Sequence, residues 1–187
     1  DFNGLKFRWR GLEVATRIIG RFNLENLAAA AVAASQIGLS DAEIAKSMEA
    51  LVPVPGRMQP VSLEESDISV IVDYAHKPEA LQAALRAISD LTDGRIWAVF
   101  GAGGDRDRGK RPLMGKIASE LADFVIITSD NPRFENPDVI AKEIAGNIDE
   151  FAVELDREKA IGSAISQANP GDVVLLAGKG HEKVQIF

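Results

Sequence analysis

The sequence predicts an α/β protein: a mostly parallel sheet with helices on both faces, preceded by a smaller unit of different pattern. Three observations carry that prediction. Beyond residue 56, apolar runs of strand length alternate with amphipathic stretches at helical spacing, the order that builds parallel sheets. Before that point the pattern is two short strand-like runs followed by two helices, and a Pro-Val-Pro-Gly step at residues 53–56 separates the two regimes. The chemically unusual residues follow the apolar runs, at the strand ends where such sheets bind ligands.

In chain order, Phe2–Trp9 and Leu12–Ile18 read as a hairpin about Arg10-Gly11. Leu24, Leu27, Ala28, Ala31 and Val32 place a helix over Asn23–Gln36, ended by Gly38. Ser40 with Glu43 three residues on is a capping box opening a second helix toward Leu51. Past a boundary near Pro55, strands are predicted at Met58–Leu63, Ser69–Tyr74, Arg95–Phe100, Phe124–Thr128, Phe151–Leu155 and Val173–Ala177. Helices are predicted at Pro78–Leu91, Pro112–Ala122, from Pro137 to about Ile148, and at Arg157–Ala168. Pro112 is taken as the opening residue of its helix, where a proline is favoured.

With 187 residues the chain is long enough for one good core and part of another. A net charge of −7 argues against a dedicated nucleic-acid binder, which needs a basic face. The absence of Cys excludes disulfides, thiol nucleophiles and thiolate metal sites, and with only His76 and His181 a zinc site is disfavoured. No apolar run approaches the length of a membrane span, and the first residues do not resemble a signal peptide.

Four loops carry the chemistry. Gly101 to Arg111 is glycine-rich and crowded with Arg106, Arg108, Lys110 and Arg111, which points to an anionic ligand, or else to a tight turn beside a solvated charge cluster. Asp73 at a strand end suits ribose hydroxyls or a metal-bound water, or caps the helix opening at Pro78. His76 suits a base or phosphate, or is simply solvated. In Asp130-Asn131-Pro132-Arg133, Asp130 suits an ammonium and Arg133 a carboxylate, the two groups of a zwitterionic amino acid. The alternative there is an Asx turn before the helix at Pro137. Gly178-Lys179-Gly180-His181-Glu182 is a ligand clasp or a flexible turn. All four loops fall on one edge of the predicted sheet. No nucleophile and base pair emerges, and the glycine loop is neither a Walker P-loop nor the GxGxxG dinucleotide fingerprint, which disfavours an NAD-type domain.

These strings, together with Gly20-Arg21-Phe22-Asn23-Leu24-Glu25-Asn26, Gly56-Arg57-Met58 and Gly109-Lys110-Arg111-Pro112-Leu113-Met114-Gly115, occur in order over nearly the whole chain. They resemble the Mur ligases of peptidoglycan synthesis, and among them the branch that adds meso-diaminopimelate. The resemblance implies a Rossmann-like C-terminal domain over residues 56–187, short of its end, preceded over residues 1–55 by the tail of a central ATP-binding domain. It further implies that Asn26 contacts adenine, that Arg57 is an interdomain arginine at the nucleotide, that Asp73 binds ribose, and that Tyr74 and His76 are nucleotide-side contacts. Arg106, Asp130, Asn131, Pro132, Arg133, Gly178 and Glu182 would hold diaminopimelate. Arg at the motif's last place marks diaminopimelate over lysine, whose missing carboxylate a guanidinium would otherwise bind.

The implied reaction is ATP-dependent. The D-glutamate carboxylate of UDP-N-acetylmuramoyl-L-alanyl-D-glutamate becomes an acyl phosphate, which the diaminopimelate amine attacks with Mg2+ present. The enzyme is implied to be a cytoplasmic monomer serving cell-wall synthesis, and so cell shape and division, with no nucleic-acid partner. The family's P-loop, magnesium ligands and modified lysine belong upstream of Asp1, so residues 1–187 alone are not expected to turn over. The competing readings are a sister ligase adding L-lysine and a non-catalytic nucleotide or amino-acid binding module.

Overall fold

The computed structural model describes residues 2–61, 67–146 and 148–186. Two compact units meet in sequence at Val54 and Pro55. In the first, β1 (Leu5–Trp9) and β2 (Leu12–Thr16) pair antiparallel with Trp9 opposite Leu12, so Arg10 and Gly11 form a two-residue turn. Both turn residues have positive φ, as a tight hairpin of this twist requires. The helices α1 (Arg21–Gln36) and α2 (Asp41–Glu49) complete a small core of Val14, Leu27, Ala31, Ile44, Ala45 and Met48. The capping box forms: Ser40 Oγ accepts from Glu43 N, and Ser40 N donates to Glu43 Oε2 at 2.9 Å.

The second unit is a six-stranded sheet. Its strands are β3 (Gln59–Val61), β4 (Ser69–Asp73), β5 (Ile96–Phe100), β6 (Phe124–Ile127), β7 (Ala152–Val153) and β8 (Val173–Ala177), in the order β3-β4-β8-β5-β6-β7. Only β3 runs antiparallel, at one edge. The connecting helices are α3 (Pro78–Ser89), α4 (Lys110–Leu121), α5 (Pro137–Ala145) and α6 (Arg157–Gln167). From β4 through β7 each step moves toward the same edge, while β7 to β8 steps back. Right-handed crossovers therefore put α3, α4 and α5 on one face and α6 on the other. Accordingly Ala160 and Ala164 of α6 pack on Val70, Trp97, Val99, Ile126 and Val174, the alternate residues of four strands. The intervening residues Ile71, Ala98, Phe100 and Leu175 are also buried, facing the other layer.

Several predicted ends shift. The helix predicted from Pro112 begins two residues earlier, at Lys110, with Pro112 still inside the first turn where its missing N–H is no loss. The helix from Pro137 stops at Ala145 because Gly146 turns the chain at φ 50°. The strand expected over Phe151–Leu155 keeps only two paired residues. The first strand of the unit, predicted over Met58–Leu63, is seen over Gln59–Val61: Met58 lies before it in a bend at φ 40°, and 62–63 lies outside the described residues. Among the described residues no helix is long and apolar enough to cross a membrane.

Candidate functional site

The parallel register sets four strand ends level: Asp73 lies opposite Ala177, and Phe100 opposite Ile127. The loops leaving those ends surround a cavity of about 700 Å³. Tyr74 and His76 line it from the β4 loop, Gly103, Arg106 and Lys110 from the β5 loop and the start of α4, Asp130, Asn131 and Arg133 from the β6 loop, and Gly178 and Glu182 from the β8 loop. Of the four described non-glycine residues with positive φ, Met58, Asp105 and Arg133 sit in the loops at this edge. Left-handed backbone at ordinary residues costs energy and persists where surrounding contacts impose it, commonly at binding sites.

Asp73 does not cap α3, whose N-cap is Lys77. Its Oδ2 accepts from Met58 N at 2.7 Å, pinning the Gly56–Met58 turn to β4. Burial pushes the Asp73 carboxyl above its ordinary range, against hydrogen bonds from Met58 and Ala75 and the charge of Arg57. The Arg57 guanidinium stands 4.9 Å from the Tyr74 ring centroid, and the Tyr74 and His76 rings are 4.6 Å apart. His76 Nδ1 donates to the Tyr74 carbonyl at 2.8 Å, since a carbonyl oxygen can only accept. Asn26 belongs to the other unit, exposed on α1, with its Nδ2 donating to Asn23 Oδ1.

The cationic loop after β5 divides into two pairs. Arg111 is fully buried, donating to both oxygens of Glu135 at 2.8 and 2.9 Å, to Glu143 at 2.5 Å and to the Gly103 carbonyl at 3.2 Å. Arg108 is also paired with Glu143. These two serve the fold, which corrects the expectation that all four cations face an anionic ligand. Arg106 and Lys110 remain at the cavity, and neither has an ion-pair partner among the described residues. Gly104 lets this loop close on the next: a Cβ there would stand 1.8 Å from the Pro132 carbonyl oxygen, an impossible contact, whereas its own N–H donates to the Asn131 carbonyl at 2.8 Å.

The 130–133 segment is a built motif rather than an Asx turn: the cap of α5 is Asn136, not Asp130. Asp130, Asn131 and Pro132 are buried, and Arg133 is partly buried. Arg133 Nη1 donates to the Gly104 carbonyl at 2.8 Å; Nε and Nη2, the other edge of the fork, carry no hydrogen bond among the described residues. Lys179 is the hub on the opposite side. Its buried Nζ donates to Asn131 Oδ1 at 2.8 Å, Glu182 Oε2 at 3.0 Å and the Val184 carbonyl at 2.5 Å, with Asp130 at 3.8 Å. Glu182 also accepts from Asn131 Nδ2 at 3.1 Å and Tyr74 OH at 3.3 Å. Burial raises the Glu182 carboxyl, but these hydrogen bonds outweigh it and hold the group below its ordinary range. Gln185 Nε2 bridges the Ser129 and Asp130 carbonyls, and Arg157 donates to those of Ser129 and Ala177.

The loop is therefore tied down, not a flexible turn. Sequence reasoning missed Lys179, Arg157 and Gln185 as organisers because a buried lysine and an exposed one look alike in a polar string. Lys110 was visible only as one of four cations. Among the described residues no group of three or more His, Asp or Glu side chains is arranged to hold a metal ion.

Residues 56–180 match the family described as Mur ligase, glutamate ligase domain. A UDP-N-acetylmuramoyl-L-alanyl-D-glutamate–2,6-diaminopimelate ligase of Nostoc sp. (strain PCC 7120) is 52% identical over 174 residues, covering 91% of this chain and 35% of that protein. A solved structure of a ligase with that same name is 41% identical, with a TM-score of 0.72, covering 99% of this chain and 39% of the other. A bifunctional folylpolyglutamate synthase/dihydrofolate synthase, solved with Mn, AMPPNP and L-glutamate bound, is 25% identical, with a TM-score of 0.66 over 96% of this chain and 42% of its own. The chain thus spans little more than a third of the length of the curated relatives it matches. On the family match, the shared fold and these identities, the chain belongs to the Mur ligase family.

Proposed function

We propose that the chain is the C-terminal part of an ATP-dependent amide ligase that adds meso-diaminopimelate to UDP-N-acetylmuramoyl-L-alanyl-D-glutamate. Residues 1–55 are then the end of its ATP-binding domain, and residues 56–187 the domain that takes the incoming amino acid. One observation carries this reading: two arginines with no carboxylate partner among the described residues, Arg106 and Arg133, line a single cavity together with two carboxylates, Asp130 and Glu182. A zwitterion with a second carboxylate and a second ammonium matches that set. The free Nε and Nη2 edge of Arg133 suits a carboxylate fork, which lysine does not offer. A site built to bond a polar group rejects an analogue lacking it by on the order of 100-fold or more. The names of the relatives point the same way.

Arg57, Asp73, Tyr74 and His76 are read as nucleotide contacts, and Asn26 as an adenine contact. ATP phosphorylates the D-glutamate carboxylate, and the amine then displaces phosphate. The cavity's work is to hold that amine in line and keep water from the acyl phosphate. Mg2+, when bound, would neutralise phosphate charge; among the described residues no group of three or more His, Asp or Glu side chains is arranged to hold it. The setting is cytoplasmic peptidoglycan synthesis by a monomer. The test is ligation by the whole enzyme, followed by product mass and ADP release. Diaminopimelate should be used at least about 100-fold better than L-lysine, and residues 1–187 alone should release no ADP. Equal use of lysine, or turnover by the isolated chain, contradicts the reading.

A further inference from the structure

Lys110 is the cation of the cavity that this assignment leaves over. Diaminopimelate brings two carboxylates, and Arg106 and Arg133 answer them. Lys110 is a third positive group, half-buried at the start of α4 and lining the same cavity. Its Nζ donates to one neutral acceptor, the His76 carbonyl at 2.7 Å, which leaves two of its three donors unused. The neighbouring Lys77 is exposed; of the two carboxylates whose charge reaches Lys110, Asp107 is exposed and Asp130 lies 3.8 Å from the Lys179 ammonium, and neither forms an ion pair with Lys110 among the described residues. Burial pushes the Lys110 ammonium below its ordinary range, with Asp130 and Asp107 opposing. An anion placed beside it would relieve that cost.

Position identifies the anion. Through the His76 carbonyl, Lys110 ties α4 to the Tyr74–His76 loop, so it stands where the proposed nucleotide side meets the proposed amino-acid side. The group that must lie at that junction is the phosphoryl of the acyl phosphate. We propose that Lys110 is a catalytic residue that holds this phosphoryl group while the amine displaces it. This rests on the ligase reading above. In the step, the amine nitrogen bonds to the acyl carbon and loses one proton to solvent. The bond from that carbon to the phosphoryl-bearing oxygen breaks, and its electron pair leaves with inorganic phosphate. Lys110 meets the charge that grows on the departing phosphate.

The experiment uses the full-length ligase and compares wild type, Lys110→Met, Lys110→Arg and Arg106→Ala by steady-state kinetics with inorganic phosphate as product inhibitor. A wild-type enzyme that makes no product fails the ligase reading itself and so is told apart from failure of this proposal. Lys110→Met should lower kcat by about 100-fold or more with little change in KM for diaminopimelate, and should weaken inhibition by phosphate at least tenfold. Lys110→Arg should restore most of both, and Arg106→Ala should instead raise KM for diaminopimelate. Unchanged kcat in Lys110→Met, or a defect confined to KM for diaminopimelate, overturns the proposal. If Lys110→Met melts below wild type, Lys110→Gln, which can still donate to the His76 carbonyl, takes its place with the same expected results.

Discussion

Lys110 and Arg111 are adjacent in sequence and serve opposite purposes, because the first turn of α4 points one at the cavity and the other inward. Arg111 survives full burial only because its charge is answered by Glu135 and Glu143. The hydrogen bond from Arg111, then that from the Asp105 N–H, draws the Glu135 carboxyl down from 4.5 to about 2. The lowered value means that the folded state favours the ionised form. Its contribution is complete above the unfolded value near 4.5 and is lost as pH falls from there through about 2. Melting curves of wild type and Glu135→Gln should therefore differ at pH 6, with wild type the more stable, and converge as pH is lowered from 5 toward 2. A gap that stays constant over that range would show that the ion pair contributes nothing.

At the level of elements, the order of strands and helices was legible from the sequence, because the change from strand-length apolar runs to helical spacing is written in residue type. The ends were less legible. Lys110 and Arg111 extend α4 past its proline, since Pro112 inside the first turn disrupts nothing, and Gly146 cut α5 short of the periodic pattern. The closeness of α4 to α5 was not legible at all. It depends on Gly115, where a Cβ would stand 1.9 Å from the Ile144 carbonyl oxygen in a helix backbone that cannot yield alone. Gly115→Ala should push the two helices apart and cost about 1–3 kcal/mol, read by urea unfolding of the whole enzyme. Since α4 carries Lys110 and α5 follows the 130–133 motif, activity should fall with stability. A neutral result would mean that the α4–α5 contact is looser than described.

For the whole molecule, the site was legible as a set of loops on one edge, because parallel strands leave all their carboxyl ends together. Six of the seven residues expected around diaminopimelate, Arg106, Asp130, Asn131, Arg133, Gly178 and Glu182, line one cavity. What residue type hid was the division of labour: Arg111 and Lys179 are buried braces, while Arg106 and Arg133 keep donors free. That distinction depends on long-range partners such as Glu135, Glu143 and Asn131, which spacing along the chain does not reveal. The central claim is that this cavity recognises an amino acid by a carboxylate that lysine lacks. Calorimetric titration of the full-length ligase with meso-diaminopimelate and with L-lysine, repeated on Arg133→Ala, tests it most directly. The account predicts selective binding of diaminopimelate that weakens by at least about 10-fold in the variant, leaving the two ligands nearly equal. Binding of both ligands with equal affinity in wild type, or undiminished selectivity in Arg133→Ala, would contradict it.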